Sequence, residues 1–240
     1  QIRQCPRNPN QLYLLTSNSS LLFIDNFIIL TRLSDSLLKD RLAAGQLIKE
    51  FSFKPSGTIS DFIVLKDSNE VLTVGRDQMI TWWNFEESSS KPTSSIFAIF
   101  STKNNAEPEN HTLQQHLMKP VKTLNEPDRH LDRIVATYQS LVLAEDTKNG
   151  RLLIFDSELG IILKVLKGYR DCSGYFLQDG SLNLWAGNRF TLETWTKAPF
   201  ELESNIQIQS FPHSTASFND ADGSFFRYDS NSFQLELYSL

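Results

Sequence analysis

The residue types that carry most enzyme and metal chemistry are few and scattered in this sequence. Its four histidines are His111, His116, His130 and His213. None lies in an HExxH-type pattern, so they offer no recognisable zinc site. The chain also lacks a glycine-rich phosphate loop ahead of a helix and a GxSxG elbow around a nucleophilic serine. We therefore predict no catalytic residues, no metal and no cofactor.

The cysteines and the carboxylates Asp220 and Asp222 fit structural roles. Cys5 and Cys172 are the only cysteines and do not form a CxxC pattern, which favours a reducing compartment such as the cytosol. Asp220 and Asp222 precede Gly223, where short carboxylates more often stabilise a turn than act as an acid-base pair.

The composition predicts a globular protein that binds neither nucleic acid nor the bilayer core. Hydrophobic residues make up 40%, with 17 Phe and 4 Trp, and the formal net charge is -5. Lysines and arginines are dispersed, so there is no basic surface for a phosphate backbone. The apolar stretch Leu21 to Leu30 is interrupted by Asp25 and Asn26 and is too short for a membrane helix.

Short apolar runs bounded by Asn, Asp, Ser, Gly or Pro recur along the chain and predict many antiparallel strands. Examples are Glu70 to Val74, Met79 to Phe85, Arg151 to Phe155 and Ile161 to Leu166. Because a WD-repeat blade takes about 40–45 residues, the chain is too short for a seven-bladed ring. We predict one all-β domain over residues 1-240, a WD-repeat-like β-propeller that is incomplete, with about five blades.

Two segments depart from this pattern of short strands and turns. The first is Ser34 to Phe51, for which we predict a helical insertion after Ser36 as the cap. Its apolar residues share one helical face: Leu37, Ala44, Ile48 and Phe51. The second is Glu86 to Asn125, for which we predict a long mobile loop around one edge strand, with a short helix at Thr112 to Met118.

The predicted strand Met79 to Phe85 is rich in aromatic residues. Gly75 and Arg76 form a turn before Trp82, Trp83 and Asn84, as at the end of a WD-type blade, with Asn84 where Asp is usual. Packing between blades is the favoured interpretation, with one tryptophan buried and the other exposed.

The most specific string is Asn149 to Asp156, followed by Gly160 and by Lys167 to Asp171 (Lys-Gly-Tyr-Arg-Asp). It resembles the N-terminal domain of the non-catalytic subunit of the Rab-three GTPase-activating protein, where a Gly-Arg strand ending in Asp leads to the same five residues. The resemblance extends from about Leu21 to about Phe200. Weaker matches support it at Pro127 to His130, Ile134, Gly57 to Asp61 and Leu192 to Trp195.

This resemblance implies a non-enzymatic regulatory subunit that scaffolds a catalytic subunit. The pair would activate GTP hydrolysis on a synaptic-vesicle Rab and promote nucleotide exchange on an endoplasmic-reticulum Rab. The arginine that GTPase activation commonly requires would come from the other subunit. A cytoplasmic location is implied, peripheral at endoplasmic-reticulum or vesicle membranes in vesicle trafficking, with indirect membrane contact.

The segment Lys167, Gly168, Tyr169, Arg170 and Asp171 is the candidate partner-binding site. A structural interpretation is favoured: the glycine permits an unusual turn, the tyrosine buries its ring, and the arginine pairs with Asp171 or another carboxylate. The alternative is that an exposed tyrosine and arginine anchor a protein interface.

Two other functions stay open. The first is a generic WD-repeat-like peptide-binding adaptor with no Rab role. The second is a propeller hydrolase, for which a cluster of perturbed titratable groups would be required.

Overall fold

The computed structural model describes residues 1–4, 8, 10–24, 48–53, 55, 57–65, 70–76, 78–85, 91–93, 113–125, 130–209, 214–219 and 222–238. Within these ranges all regular structure is β, with 21 strands in five sheets and no helix. The predicted all-β class is therefore confirmed. The residues cluster into two compact units, 1–73 with 79–123 and 74–78 with 124–240. A single domain over the chain stays a prediction.

Sheet 1 belongs to the first unit and has the order β1-β2-β3-β4-β9-β8. Its strands are β1 (Ile2–Gln4), β2 (Leu12–Leu15), β3 (Ser20–Ile24), β4 (Ile48–Ser52), β8 (Lys91–Thr93) and β9 (Leu113–Leu117). Strands β4 and β9 pair in parallel, and the other neighbours pair antiparallel.

Sheet 2 has the order β10-β7-β6-β5, and most of its residues lie in the first unit. Its strands are β5 (Ile59–Val64), β6 (Glu70–Gly75), β7 (Met79–Asn84) and β10 (Lys119–Asn125). Trp82 and Trp83 are both buried, so the expectation that one of them is exposed is wrong. Adjacent side chains of a strand point to opposite faces, and here both faces are covered. The indole N–H of Trp83 donates to Thr73 Oγ1 at 2.8 Å.

One apolar cluster of the first unit joins sheets 1 and 2. Its buried members are Tyr13, Leu15, Leu21, Phe51, Phe53, Phe62, Val64, Val71, Trp83 and Met118.

The described part of the predicted helical insertion is a strand. Ile48–Ser52 pairs with β3, with Phe51 opposite Leu21. Phe51 and Phe53, two residues apart, both reach the core, which is the period of a strand and not of a helix. The rest of the predicted insertion lies outside the described residues.

The predicted loop at 86–125 also contains strands. Lys91–Thr93, Leu113–Leu117 and Lys119–Asn125 are β8, β9 and β10, so the short helix predicted at Thr112 to Met118 is wrong over its described residues. Backbone pairing of β9 with β4 and β8 takes precedence over local helical preference. The remaining loop residues lie outside the described part.

Sheet 3, in the second unit, is a four-stranded antiparallel meander. Its strands are β11 (Arg133–Tyr138), β12 (Leu141–Asp146), β13 (Arg151–Asp156) and β14 (Ile161–Lys167). The central run Leu152 to Phe155 is fully buried on both faces. A continuous apolar run is what a strand covered on two sides requires.

Sheets 4 and 5 continue the pattern in the second unit. Sheet 4 is β15 (Cys172–Phe176), β16 (Leu182–Ala186), β17 (Thr191–Trp195) and β18 (Leu202–Gln207). Sheet 5 is β19 (Ser214–Phe218), β20 (Phe225–Asp229) and β21 (Gln234–Tyr238). All their neighbouring strands pair antiparallel. These meanders are WD-repeat-like sheets, and about five blades stays a prediction.

Sheet 4 packs on both neighbours. One face contributes Leu182, Leu184 and Ala186 to a cluster with sheet 3. The other contributes Trp185 and Leu192 to a cluster with sheet 5. Because successive side chains of β16 point to opposite faces, this one strand packs against both sheet 3 and sheet 5.

Replacing the fully buried Leu184 with alanine should destabilise the second unit. Leu184→Ala leaves a cavity between sheets 3 and 4, so we expect the free energy of unfolding to fall by about 2–5 kcal/mol. Urea unfolding monitored by circular dichroism measures this loss. The control Leu159→Ala removes the same atoms from a side chain that is 66% exposed, and we expect a change within about 0.5 kcal/mol. Equal losses would contradict the packing described.

Candidate functional site

The segment from Lys167 to Asp171 is the crossover from sheet 3 to sheet 4. Lys167 ends β14, and β15 begins directly after Asp171. The backbone turns at Gly168 and at Asp171, which have φ values of 80° and 54°. The N–H groups of Gly168 and Tyr169 both donate to the carbonyl of Gly150, at 2.7 and 3.0 Å. The crossover is therefore fastened to the β12–β13 turn.

Tyr169 is buried and not a surface anchor. Its hydroxyl donates to Glu193 Oε2 at 2.8 Å, and the indole N–H of Trp195 donates to the same oxygen at 3.0 Å. The hydroxyl of Thr191 donates to Glu193 Oε1 at 3.0 Å. Glu193 is only 3% exposed, so these donors compensate a carboxylate removed from water. Burial, with the hydrogen bond to Glu193, raises the pKa of Tyr169.

Arg189 covers the tyrosine ring. Its guanidinium carbon lies 4.2 Å from the ring centroid of Tyr169, within the range of a cation–π interaction. Its Nη2 donates to the Lys167 carbonyl at 3.2 Å, and Nη1 lies 3.9 Å from Glu193 Oε1. One arginine of the β16–β17 turn thus contacts the backbone, the ring and the buried carboxylate.

Asn188 satisfies the polar backbone of the crossover. Its Nδ2 donates to the Gly168 carbonyl at 3.0 Å, and its Oδ1 accepts from the Arg170 N–H at 3.0 Å. The neighbouring Gly187 passes so close that a Cβ there would lie 2.4 Å from the Asp171 carbonyl oxygen. Only glycine permits this approach without a backbone shift.

The predicted site residues therefore separate into two groups. Tyr169 is buried, as the structural interpretation requires, whereas Lys167, Gly168, Arg170 and Asp171 are exposed. Arg170 forms no ion pair with a described residue, so its predicted salt bridge is not observed. Its side chain instead lies over Gly150, where a Cβ would be 3.2 Å from its Nε. Partner binding by the exposed residues stays a prediction.

Sequence reasoning missed Glu193, Arg189 and Asn188 as the residues that hold the crossover. The available signal was a charged residue between Leu192 and Trp195 in the strand Thr191–Trp195. A carboxylate at such a position needs partners. Thr191 and Trp195 lie two residues away on the same strand, but Tyr169 lies on the crossover, so no local pattern identifies it as a partner.

The titratable groups of this region do not support hydrolase chemistry. Burial raises the pKa of the Cys172 thiol, which disfavours the nucleophilic thiolate. Across the described ranges, no three His, Cys, Asp or Glu side chains are grouped to hold a metal ion. The same ranges contain no helix that could span a membrane.

The fold class is shared with many solved structures. A chain of the crystal structure of the mitotic checkpoint complex superimposes with a TM-score of 0.59 and 10% sequence identity. The match covers 97% of this chain and 60% of that one. In all, 898 chains of solved structures match significantly. A fold that is shared this widely does not by itself assign a particular function. No protein of curated function matches significantly in sequence.

Together these sheets and crossovers define an all-β, WD-repeat-like protein. The family described as Rab3 GTPase-activating protein regulatory subunit N-terminus matches residues 41–183, well over half of the chain. The chain belongs to this family, and the resemblance seen in its sequence is confirmed. A family of regulatory subunits also agrees with the prediction that the chain is not itself an enzyme.

Removing the Tyr169 hydroxyl should cost stability in a pH-dependent way. Tyr169→Phe leaves Glu193 with one donor fewer, so we expect a loss of about 1.5–3 kcal/mol near neutral pH. Because the folded-state pKa is raised above the usual value near 10, this stabilisation is complete below about pH 10 and decreases above it.

We therefore compare denaturant unfolding of the wild-type protein and of Tyr169→Phe from about pH 8 to about pH 11. The difference between their free energies of unfolding should decrease at high pH. The control Tyr228→Phe alters an exposed tyrosine and should change little. A difference in unfolding free energy that stays constant over this pH range would contradict the buried tyrosine–carboxylate pair.

Substituting Gly168 should destabilise the crossover more than substituting a comparable glycine. Gly168→Ala places a methyl group 2.9 Å from Arg189 Nη2, in addition to forcing alanine to a φ of 80°. Gly180→Ala, at a φ of 86°, meets no atom closer than 3.8 Å and isolates the backbone cost of about 1–2 kcal/mol. We expect Gly168→Ala to lower the free energy of unfolding by about 0.5–1 kcal/mol more than Gly180→Ala does, because the new methyl group displaces Arg189 from the Tyr169 ring. Thermal or urea unfolding of both variants tests this difference.

Proposed function

We propose that this chain is a non-catalytic regulatory module of a Rab GTPase-activating complex. It scaffolds the catalytic subunit, and the assembly activates Rab GTP hydrolysis and promotes Rab nucleotide exchange. The observation that carries this proposal is the family match over residues 41–183, which includes the whole crossover Lys167 to Asp171.

Three arginines of the second unit support a regulatory role over a catalytic one. Arg76 lies 3.4 Å from Asp132, Arg151 begins the paired strand β13, and Arg170 lies over Gly150. Each has a structural setting, so we assign the arginine that stabilises the transferred phosphoryl group to the catalytic subunit. Nucleotide exchange then requires the complex to bind the nucleotide-free Rab more tightly than the GDP-bound form.

The exposed charges of the crossover are the contact that we assign to the partner. Lys167, Arg170 and Asp171 are exposed on a segment whose backbone is held by Gly150 and Asn188. A surface that is already ordered loses little conformational entropy on binding. The proposal also includes a cytoplasmic location, with the complex meeting endoplasmic-reticulum or vesicle membranes indirectly through its partners.

Co-purification with the catalytic subunit of the Rab3 GTPase-activating protein tests this function. The complex is then assayed for release of labelled GDP and for GTP hydrolysis on a panel of Rab proteins. We expect stable association and faster release or hydrolysis on a subset of them. A folded chain that neither binds the subunit nor changes the kinetics of any Rab would refute the proposal.

A charge-matched pair of variants tests the crossover itself. Lys167→Ala with Arg170→Ala should weaken association about tenfold, or roughly 1.4 kcal/mol. Lys148→Ala with Lys197→Ala removes the same charge from exposed turns of the same unit and should leave the affinity unchanged. Equal effects would assign the binding surface elsewhere.

A further inference from the structure

The two ends of sheets 3 and 4 differ in charge. One end holds the β12–β13 turn, the crossover and the β16–β17 turn, and we define its cationic end by four basic residues: Arg151, Lys167, Arg170 and Arg189. At the opposite end, the exposed charged residues of the turns are mostly acidic: Glu158, Asp179, Lys197 and Glu201. The fold thus gathers cations that are dispersed along a chain of formal net charge -5.

Two of these cations are held side by side by the strand register. Arg151 of β13 is directly opposite Lys167 of β14. Residues paired in this way share one face of the sheet, and like charges at such positions repel each other. Neither side chain forms a hydrogen bond or an ion pair with any residue that the structure describes. The pair therefore has no counter-ion of its own.

The nearest buried carboxylate does not supply one. Asp146 is opposite Arg151 on β12, but it is 0% exposed and forms no ion pair with that arginine. Its Oδ1 accepts from the Asn149 backbone N–H at 3.0 Å, and its Oδ2 accepts from Asn149 Nδ2 at 2.9 Å. Asp146 is thus occupied in closing the β12–β13 turn.

The crossover and the next turn add two arginines. The side chain of Arg170 lies over Gly150, the residue before Arg151, and makes no ion pair in the described part of the chain. Arg189 donates to the Lys167 carbonyl at 3.2 Å, and its charge is already shared with the Tyr169 ring and with Glu193. Three cations without a counter-ion, and a fourth that is partly neutralised, therefore surround one ordered segment.

The composition of the cationic end suits carboxylates of a protein. Three of its four residues are arginines, whose planar guanidinium groups bind carboxylates through two parallel hydrogen bonds. The exposed Asp171 lies in the same crossover. An anionic bilayer presents negative charge across its whole surface and would be repelled there, whereas a peptide can place a neutral or basic side chain opposite Asp171.

We propose that the cationic end binds an acidic segment, rich in aspartate or glutamate, of the partner subunit. Carboxylates of that segment accept hydrogen bonds from Arg151, Lys167 and Arg170, and Arg189 adds its charge while it stays over the tyrosine ring. This inference rests on the function proposed above and adds the chemistry of the partner.

The probe is a capped peptide with several glutamates among glycines and serines, followed by NMR through the backbone amide resonances of Gly168 and Arg170. Its counterpart carries glutamine in place of every glutamate. We expect saturable binding of the glutamate peptide, about tenfold or more tighter than that of the glutamine peptide. The difference should be lost between about 0.01 M and about 1 M salt, because screening shortens from roughly 30 Å to roughly 3 Å.

Three variants locate the site. Arg151→Gln and Arg170→Gln should each weaken glutamate-peptide binding about threefold or more. The urea midpoint of Arg151→Gln should not fall, since the change removes a charge that faces Lys167, and this separates a binding role from a structural one. Lys197→Gln removes one exposed cation from the opposite end and should leave binding unchanged. Unchanged binding in folded Arg151→Gln and Arg170→Gln would refute the assignment.

The remaining outcomes separate this inference from the proposed function. A chain that co-purifies with the catalytic subunit but binds the two peptides equally, or neither, would overturn the inference and leave the Rab role intact. Binding to vesicles of anionic phospholipid that the glutamate peptide does not compete would also overturn it, in favour of a lipid headgroup. A chain that binds the glutamate peptide but not the catalytic subunit would support the acidic ligand and refute the proposed function.

Discussion

The second unit depends on β16 of sheet 4, a strand that is buried on both faces. Sheet 4 contributes Leu184 to one apolar cluster and Trp185, the next residue, to the other. Such a strand has no solvent-facing side, so every polar group near it must find a partner within the protein. The hydrogen-bonded arrangement around the crossover follows from this requirement.

Glu193 shows how the requirement is met. It lies on a covered face of sheet 4, and it accepts hydrogen bonds from Tyr169, Trp195 and Thr191. Arg189 closes the arrangement over the tyrosine ring. The five-residue string that is most specific in the sequence is thus first a connection between two sheets. Its backbone and its tyrosine form hydrogen bonds within the protein, whereas its charged side chains are exposed.

Glu145 meets the same requirement only in part. Both carboxylates are buried, but Glu193 has donors on both oxygens, whereas Glu145 is bonded by Arg133 at Oε2 alone among the described residues. Glu193 is enclosed by the crossover, and Glu145 is 0% exposed. Two glutamates of one unit therefore differ in how far their burial is compensated, because Glu193 has donors from three residues whereas Glu145 has donors from Arg133 alone among the described residues.

Much of the fold could be read from the sequence. Apolar runs bounded by turn residues predicted β13 and β14 to within a residue or two, because a buried strand needs a short continuous apolar run. The helix predicted to end at Phe51 failed since the same apolar residues fit either period locally, and pairing of β4 with β3 decided between them.

The sequence by itself determined the all-β class, the family and the position of the crossover. Those properties depend on local turn residues, on apolar runs and on a contiguous motif. Tertiary structure alone decided that Tyr169 is buried against Glu193, that Arg189 covers it, and that Glu145 retains a buried oxygen with no donor among the described residues. Each of these contacts joins residues from different strands or turns, and whether a buried charge is satisfied depends on donors that are distant in the sequence.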